Sequence, residues 1–409
     1  MDALKEIFVK NADVMSNRAD TFVTNELTQF KGLVCSSGQL WKEHRTFTLV
    51  ALREFGFGKT SLESKIIEEV EILMKLIDKE EGHPFSIKKV LTVCISNIMC
   101  SINFGRRYEH DDEYFLTMLQ KTDQTVANPN VTMAATFFPF IQHIPGDPFH
   151  IKQTIKDIED IDNHLLKVIE EHENSFDADN PRDYVDLFIK RMREEKDDPD
   201  STFDQKQLLT SIGDLFAAGT ETTSTTMLWF IVLVINHPDV QDQMREEITE
   251  AIGTSRFPSL ADRQNLVYTE AVLNEVLRYG SIVPLTLPLG PTRDLMYKGY
   301  MIPKESLVLA NLHSVLHGPE VFDDPEVFRP ARFIENGKLV NVDKNLTFSI
   351  GRRNCLGESL AKMEFFLFAT TLIQRYHLLP AKEGVLPSTN GVLGFTLAPE
   401  EFNFRAVDV

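Results

Sequence analysis

Apolar residues recur at intervals of three and four over most of this chain. Between Ser61 and Lys79 they fall at Ile66, Ile67, Val70, Ile72, Leu73, Leu76 and Ile77, which lines one side of a helix. The same period predicts helices over 2–14, 39–52, 87–103, 112–125, 151–175, 183–194, 240–252, 260–265 and 269–279. The middle of 87–103 is largely apolar, which predicts burial. A very long helix is predicted over 204–236, stopped by Pro238. Strand character is confined to 282–289, 295–302, 306–311 and the C-terminal end. Residues 127–150 hold Phe137-Phe138-Pro139-Phe140 and Pro145-Gly146-Asp147-Pro148 and read as a loop. The acidic run 195–203 reads as a solvated segment. With no internal repeat and no low-complexity linker, the expectation is a mainly α fold with small β-sheets, 1–409 forming a single domain.

Composition narrows the function classes. The 409 residues are 43% hydrophobic and 25% charged, as in globular proteins. A formal net charge of −19 disfavours a nucleic-acid-binding surface. Four cysteines, at 35, 94, 100 and 355, show neither a zinc spacing nor a disulfide framework, and predict a reducing compartment. The N-terminus lacks a basic flank followed by an apolar run. Apolar runs such as 227–235 reach about half of the ~20 residues needed to span a membrane, so the chain reads as soluble by its own sequence.

Chemistry concentrates in Phe348-Ser-Ile-Gly-Arg-Arg-Asn-Cys-Leu-Gly357. A helix is expected from about Leu356, which sets Cys355 at its N-terminus, where N–H groups and the dipole favour a thiolate. Gly351 and Gly357 allow close backbone approach, and Arg353 offers a cation to a carboxylate. A thiolate with N–H donors suits the proximal position of a haem iron; a buried structural cysteine is the plain alternative.

Three further constellations accompany it. Glu275 and Arg278 share a helix face, and Arg332, in Phe328-Arg-Pro-Ala-Arg-Phe333, could complete a network with them; a surface ion pair is the alternative. Asp214-Leu-Phe-Ala-Ala-Gly-Thr-Glu-Thr-Thr-Ser224 interrupts the long helix with small and hydroxyl-bearing residues. Ala218 and Gly219 leave room for a flat ligand, and Glu221 beside Thr222 sets an acid next to an alcohol for proton delivery. A bent helix packed on a neighbour would look the same. Trp41-Lys-Glu-His-Arg45 puts an indole N–H and a guanidinium on one helix, which alone would suit a half-buried helix face.

In this order the motifs resemble the cytochrome P450 family: Trp-x-x-x-Arg, Ala-Gly-x-Glu-Thr-Thr, Glu-x-x-Arg, Pro-x-Arg-Phe and Phe-x-x-Gly-x-Arg-x-Cys-x-Gly. Phe138-Pro-Phe140, Ile144-Pro-Gly146, Asn180-Pro-Arg-Asp183, Ile302-Pro-Lys304 and Asn311-Leu-His-Ser-Val-Leu-His317 are similar to the microsomal family-2 type, with an arthropod or other invertebrate branch plausible. The resemblance implies a P450 fold with haem b between the long central helix and the cysteine loop. It implies Cys355 as iron ligand, and Phe348, Gly351 and Gly357 around it. Trp41, Arg45 and Arg353 would meet the propionates, and Thr222 and Glu221 would manage protons during dioxygen cleavage. Glu275, Arg278 and Arg332 would form a structural triad. Phe137, Phe216, Ala217, Ile282, Val283 and Phe395 would face substrate, although any single phenylalanine is as readily core.

The activity so implied is a monooxygenase inserting one atom of dioxygen into a lipophilic compound, whether xenobiotic, fatty acid or steroid-like. An NADPH-dependent cytochrome P450 reductase would supply electrons through a basic patch of Lys42, Arg45, Arg352 and Lys362, with cytochrome b5 a further candidate donor. The location would be the cytosolic face of the endoplasmic reticulum. Two departures stand out. Leu289 occupies the position where the family places a propionate-binding cation, with Arg293 nearby. The chain also begins where the family's anchor, hinge and first helix and strands would already have passed, as in an N-terminally truncated form. A non-catalytic haem-binding protein or inactive fragment is the rival reading, and peroxide-driven chemistry without a reductase a third.

Overall fold

In a computed structural model, residues 1–56, 60–128 and 134–409 are described. Positions 129–133 of the expected loop lie outside the described residues. The principal helices are Gly38–Glu54, Thr60–Asp78, Lys88–Asn103, Glu113–Ala127, Ile151–Ser175, Tyr184–Glu194, Gln205–Asn236, Pro238–Ala251, Val267–Gly280 and Glu358–Arg375. Of the helices that begin one residue later than the apolar period suggests, three do so because the first residue of the pattern is a side-chain cap. The carboxylates of Asp112, Asp183 and Asp204 accept hydrogen bonds from the backbone N–H of Phe115, Asp186 and Gln207. Pro238 does more than stop the long helix; it is the first residue of the next one, where a missing N–H costs nothing. The N-terminal helix is shorter than expected. It ends at Lys10, and from Lys5 its bonds run in the wider π pattern.

The sheets are small and two-stranded. Leu295–Tyr297 pairs with Tyr300–Ile302 through a tight turn in which Lys298 and Gly299 both have positive φ. Tyr376–Pro380 pairs with Phe404–Asp408, and Gly391–Leu393 with Leu397–Pro399. The expected strands over 282–289 and 306–311 are reduced to Leu289–Gly290 and to isolated bridges, Leu285 to Asn311 and Leu289 to Val308. Pro284 and Pro288 have no N–H to give a longer ladder.

The main hydrophobic cluster draws on residues from Ala51 to Ala406, with Gln205–Asn236 through its middle. Every residue from Thr223 to Ile235 is buried. This is the one helix among the described residues that is long and apolar enough to cross a membrane, and 78% of its apolar window lies inside the protein. Its start is fixed by Asp204, which caps Gln207 at 2.7 Å and pairs with Lys31 Nζ at 2.6 Å. Asp204→Ala should therefore cost about 1 kcal/mol, read as a shifted midpoint in denaturant unfolding.

Candidate active site

Between the long helix and the cysteine loop lies a cavity of about 350 Å³. The loop that forms its floor turns at Leu346–Phe348, reverses through Ser349 and Gly351 at positive φ, and closes with Cys355 N–H on the Phe348 carbonyl at 2.9 Å. The adjoining helix begins at Glu358, so Cys355 precedes its first residue by three positions, further out than Leu356 suggested. The Cys355 side chain is exposed to the cavity. Burial raises its pKa; the N–H groups of Gly357 and Glu358 and the charge of Arg45 act against that rise.

The two glycines do different work. A side chain at Gly357 would stand 3.9 Å from the Cys355 sulfur. Gly351, at φ +85°, is crowded from the other side: a Cβ there would collide with the carbonyl of Phe8. Its room is used by protein backbone.

Three guanidinium groups line one side of the cavity: Arg18, Arg45 and Arg353. Arg353 donates to the carbonyls of Ser16 (2.7 Å) and Ser36 (2.6 Å) and stacks 3.9 Å over the Trp41 ring. Arg45 donates to Asn354 O at 2.9 Å and lies 5.7 Å from the same ring. Arg18 donates to Val34 O at 2.7 Å. Burial pulls the pKa of Arg353 down to about 8 and that of Arg18 down to about 10, and lowers that of Arg45; Arg18 and Arg45 also lower Arg353. Asp214, also on the wall, is taken by the N–H groups of Leu33 (2.7 Å) and Val34 (2.9 Å), and burial pushes its pKa up to about 6. Arg353 Nη1 is buried with no partner. Buried cations with a spare donor suit a ligand that carries carboxylates.

Arg18 is the functional candidate that sequence reasoning missed, since no motif marks it. Leu289, where a cation was expected, is a buried leucine paired in antiparallel register with Arg18. Arg293 is not a substitute; it is exposed at the surface and pairs with Asp13 at 3.1 Å.

Opposite the cysteine, Ala218 and Thr222 face the cavity. The Thr222 hydroxyl donates to Ala218 O at 2.8 Å, and Ser224 and Thr226 repeat this bond one turn back, to Thr220 and Thr222. Gly219 also reaches the wall, but a Cβ there would strike Met99, so it admits a neighbouring helix. Glu221 is turned off the wall. It accepts from Thr396 at 2.8 Å and Thr225 at 3.2 Å, and burial raises its pKa. Glu364, unmarked by any motif, does line the cavity; burial pushes its pKa up to about 8 against a hydrogen bond from Thr223.

Of the expected substrate-facing residues, Ile282, Val283 and Phe395 are on the wall and three are not. Phe216 is buried beside Phe115, with ring centroids 6.4 Å apart, and Ala217 is likewise off the wall. At 100° per residue both point away from the side that carries Ala218 and Thr222. Phe137 is 58% exposed on a surface turn.

The triad is assembled away from the cavity. Glu275 accepts from Arg278 Nε (2.8 Å) and Nη2 (2.9 Å), from Arg332 Nε (3.0 Å), and from the Arg329 N–H (2.8 Å). Both Glu275 and Arg278 side chains are fully buried. The basic patch is smaller than expected: Arg45 faces inward, and Lys362 is held by Glu358 at 2.6 Å, which leaves Lys42 and Arg352 exposed.

Comparison with known proteins identifies the family. The family model described as Cytochrome P450 matches residues 1–406. The chain is 37% identical to Cytochrome P450 2C11 of Rattus norvegicus, over 92% of this chain and 76% of the relative. It is 37% identical to Cytochrome P450 2U1 of Homo sapiens, over 98% and 74%, and 38% identical to Cytochrome P450 2J3 of Rattus norvegicus, over 93% and 76%. With a family match along nearly its whole length, the chain belongs to the cytochrome P450 family of haem-thiolate monooxygenases.

Proposed function

We propose that this monooxygenase acts on a lipophilic small molecule, with Cys355 as the iron ligand and an NADPH-dependent flavoprotein reductase as electron donor. The observation that carries the reading is the cavity itself. A cysteine open to it faces Ala218 and Thr222, and three arginines stand along one edge, Arg353 with a spare N–H. Arg18, Arg45 and Arg353, with the Trp41 ring between the last two, would hold the haem carboxylates. The N–H groups of Gly357 and Glu358 would steady the thiolate charge on Cys355. When bound, haem supplies the activation of dioxygen. The chain's own part is to orient, exclude water and move protons. Ile282, Val283 and Phe395 give substrate an apolar wall and keep bulk water out. The Thr222 hydroxyl, held on Ala218 O, stands ready to pass a proton into the cavity, and Glu221, next to it in sequence and held by Thr396 and Thr225, would be the acid that supplies it. Attachment to the endoplasmic reticulum fits the resemblance to microsomal relatives.

Turnover of the haem-loaded chain with reductase, NADPH and a panel of fatty acids, steroids and xenobiotics tests this reading. NADPH-dependent oxidation of an apolar panel member supports it; haem uptake without turnover supports the non-catalytic alternative. Thr222→Ala should lower product formed per NADPH consumed by on the order of tenfold, less than the roughly 100-fold at the low end of what a positioned proton-transfer group contributes, since water can still enter the cavity. Unchanged coupling removes the proton role from Thr222.

A further inference from the structure

Away from the haem cavity, three potential metal ligands meet at the junction of two helices and a loop. Glu69 comes from Thr60–Asp78, Cys94 from Lys88–Asn103, and His110 from the turn that follows. Their ligand atoms all lie within 4.8 Å of one another. His110 Nε2 is 3.9 Å from the Cys94 sulfur and 3.5 Å from Glu69 Oε2. A tetrahedral zinc ion, about 2.3 Å from sulfur and about 2.0 Å from nitrogen and oxygen, separates neighbouring donors by roughly 3.3–3.6 Å. The two spacings to His110 are a few tenths of an ångström wider, within reach of small side-chain rotations, and Glu69 and Cys94 lie within the same 4.8 Å.

A second observation points to a missing partner. Glu69 Oε2 has no hydrogen bond although its side chain is only 4% exposed. The other oxygen is satisfied by Arg107 Nε at 2.8 Å, which fixes the carboxylate. Cys94 is fully buried, while His110, 17% exposed, leaves a way in. The loop is pinned before any metal arrives. Asn97 donates to Tyr108 O at 2.9 Å and accepts from Tyr108 N–H at 2.8 Å, and the Tyr108 ring stacks on Phe115 at 4.4 Å. A site carried on helices and a double-bonded loop is preorganised.

The geometry points to a zinc-binding site formed by Cys94 Sγ, His110 Nε2 and Glu69 Oε2, with a water as the fourth ligand. Binding releases the Cys94 thiol proton to solvent. A thiolate and a carboxylate then neutralise the divalent ion, and Arg107 stays on the free side of Glu69. His110 Nδ1, buried and unpartnered, lacks the acceptor that usually orients a ligating histidine, so the site is of moderate affinity. No zinc spacing is visible in the sequence because the ligands come from three separate segments.

Equilibrium dialysis of the haem-loaded protein against chelator-buffered Zn2+, with metal counted by mass spectrometry, tests the proposal. One zinc per chain is expected, with a sulfur scatterer at about 2.3 Å in zinc X-ray absorption. Cys94→Ser and His110→Asn should each weaken zinc by more than the roughly 10–100-fold that loss of an outer partner costs, while Cys100→Ser changes nothing. An unchanged carbon-monoxide spectrum in each variant shows that the fold is kept. Zinc retained by both variants, a zinc shell without sulfur, or no zinc above the Cys94→Ser level overturns the site.

Discussion

Cys355→Ala is expected to give a chain whose reduced, carbon-monoxide-bound spectrum lacks the thiolate-haem Soret band and whose turnover falls to background. The expectation follows from the shortage of alternatives. Cys35, Cys94 and Cys100 are all buried within the protein. None of the three lines the cavity. Cys355 alone combines an opening into it with N–H groups directed at its sulfur. Haem content and the carbon-monoxide spectrum of wild type and variant, at matched protein concentration, decide the matter. A Soret band in the wild-type position in Cys355→Ala would remove this residue from the iron.

Glu275→Ala should have the largest effect on stability, about 3–5 kcal/mol, because it strands two buried cations. Arg278 is fully buried and the Arg332 side chain only 5% exposed. Both lean on this one carboxylate, which also receives the backbone N–H of Arg329. Arg278 keeps the Leu316 carbonyl at 2.8 Å, and Arg332 keeps the carbonyls of Asp323, Asp324 and Val327. Carbonyl oxygens offset part of the lost hydrogen bonding but none of the lost charge. Glu275→Gln should fall between wild type and Glu275→Ala, since an amide accepts one of the bonds without neutralising either arginine. Loss of the native carbon-monoxide spectrum with temperature or urea measures the difference. A Glu275→Ala midpoint within error of wild type would mean that the network contributes nothing net.

Much of the fold was legible because apolar spacing is a local property. The helices over 151–175 and 87–103 needed only their own periodicity. Helix starts at Asp112, Asp183 and Asp204 were displaced by one residue because a capping carboxylate belongs to the pattern but not to the helix. Strands were less legible, since pairing depends on a remote partner and on prolines that deny it. The site shows the same division. The cysteine loop and the triad are dense motifs that stand out in the sequence. Phe216 and Ala217 sit beside wall residues in sequence but at the wrong angle about the helix axis. Glu221 could be paired with Thr222 from the sequence, yet its bond to Thr396 comes from a segment far along the chain. Arg18 left no local signal, because nothing in its neighbourhood says that it will lie against the cavity.

The short ladder that sets Arg18 opposite Leu289 bears on how such a site can change over evolutionary time. Two residues facing each other across a strand pair occupy nearly one place in space, so a charge can be hosted on either strand. A lineage could move the cation from one strand to the other through an intermediate that holds both, without passing through a chain that lacks it. A leucine at 289 therefore does not by itself empty that corner of cationic charge, because Arg18 stands across the ladder.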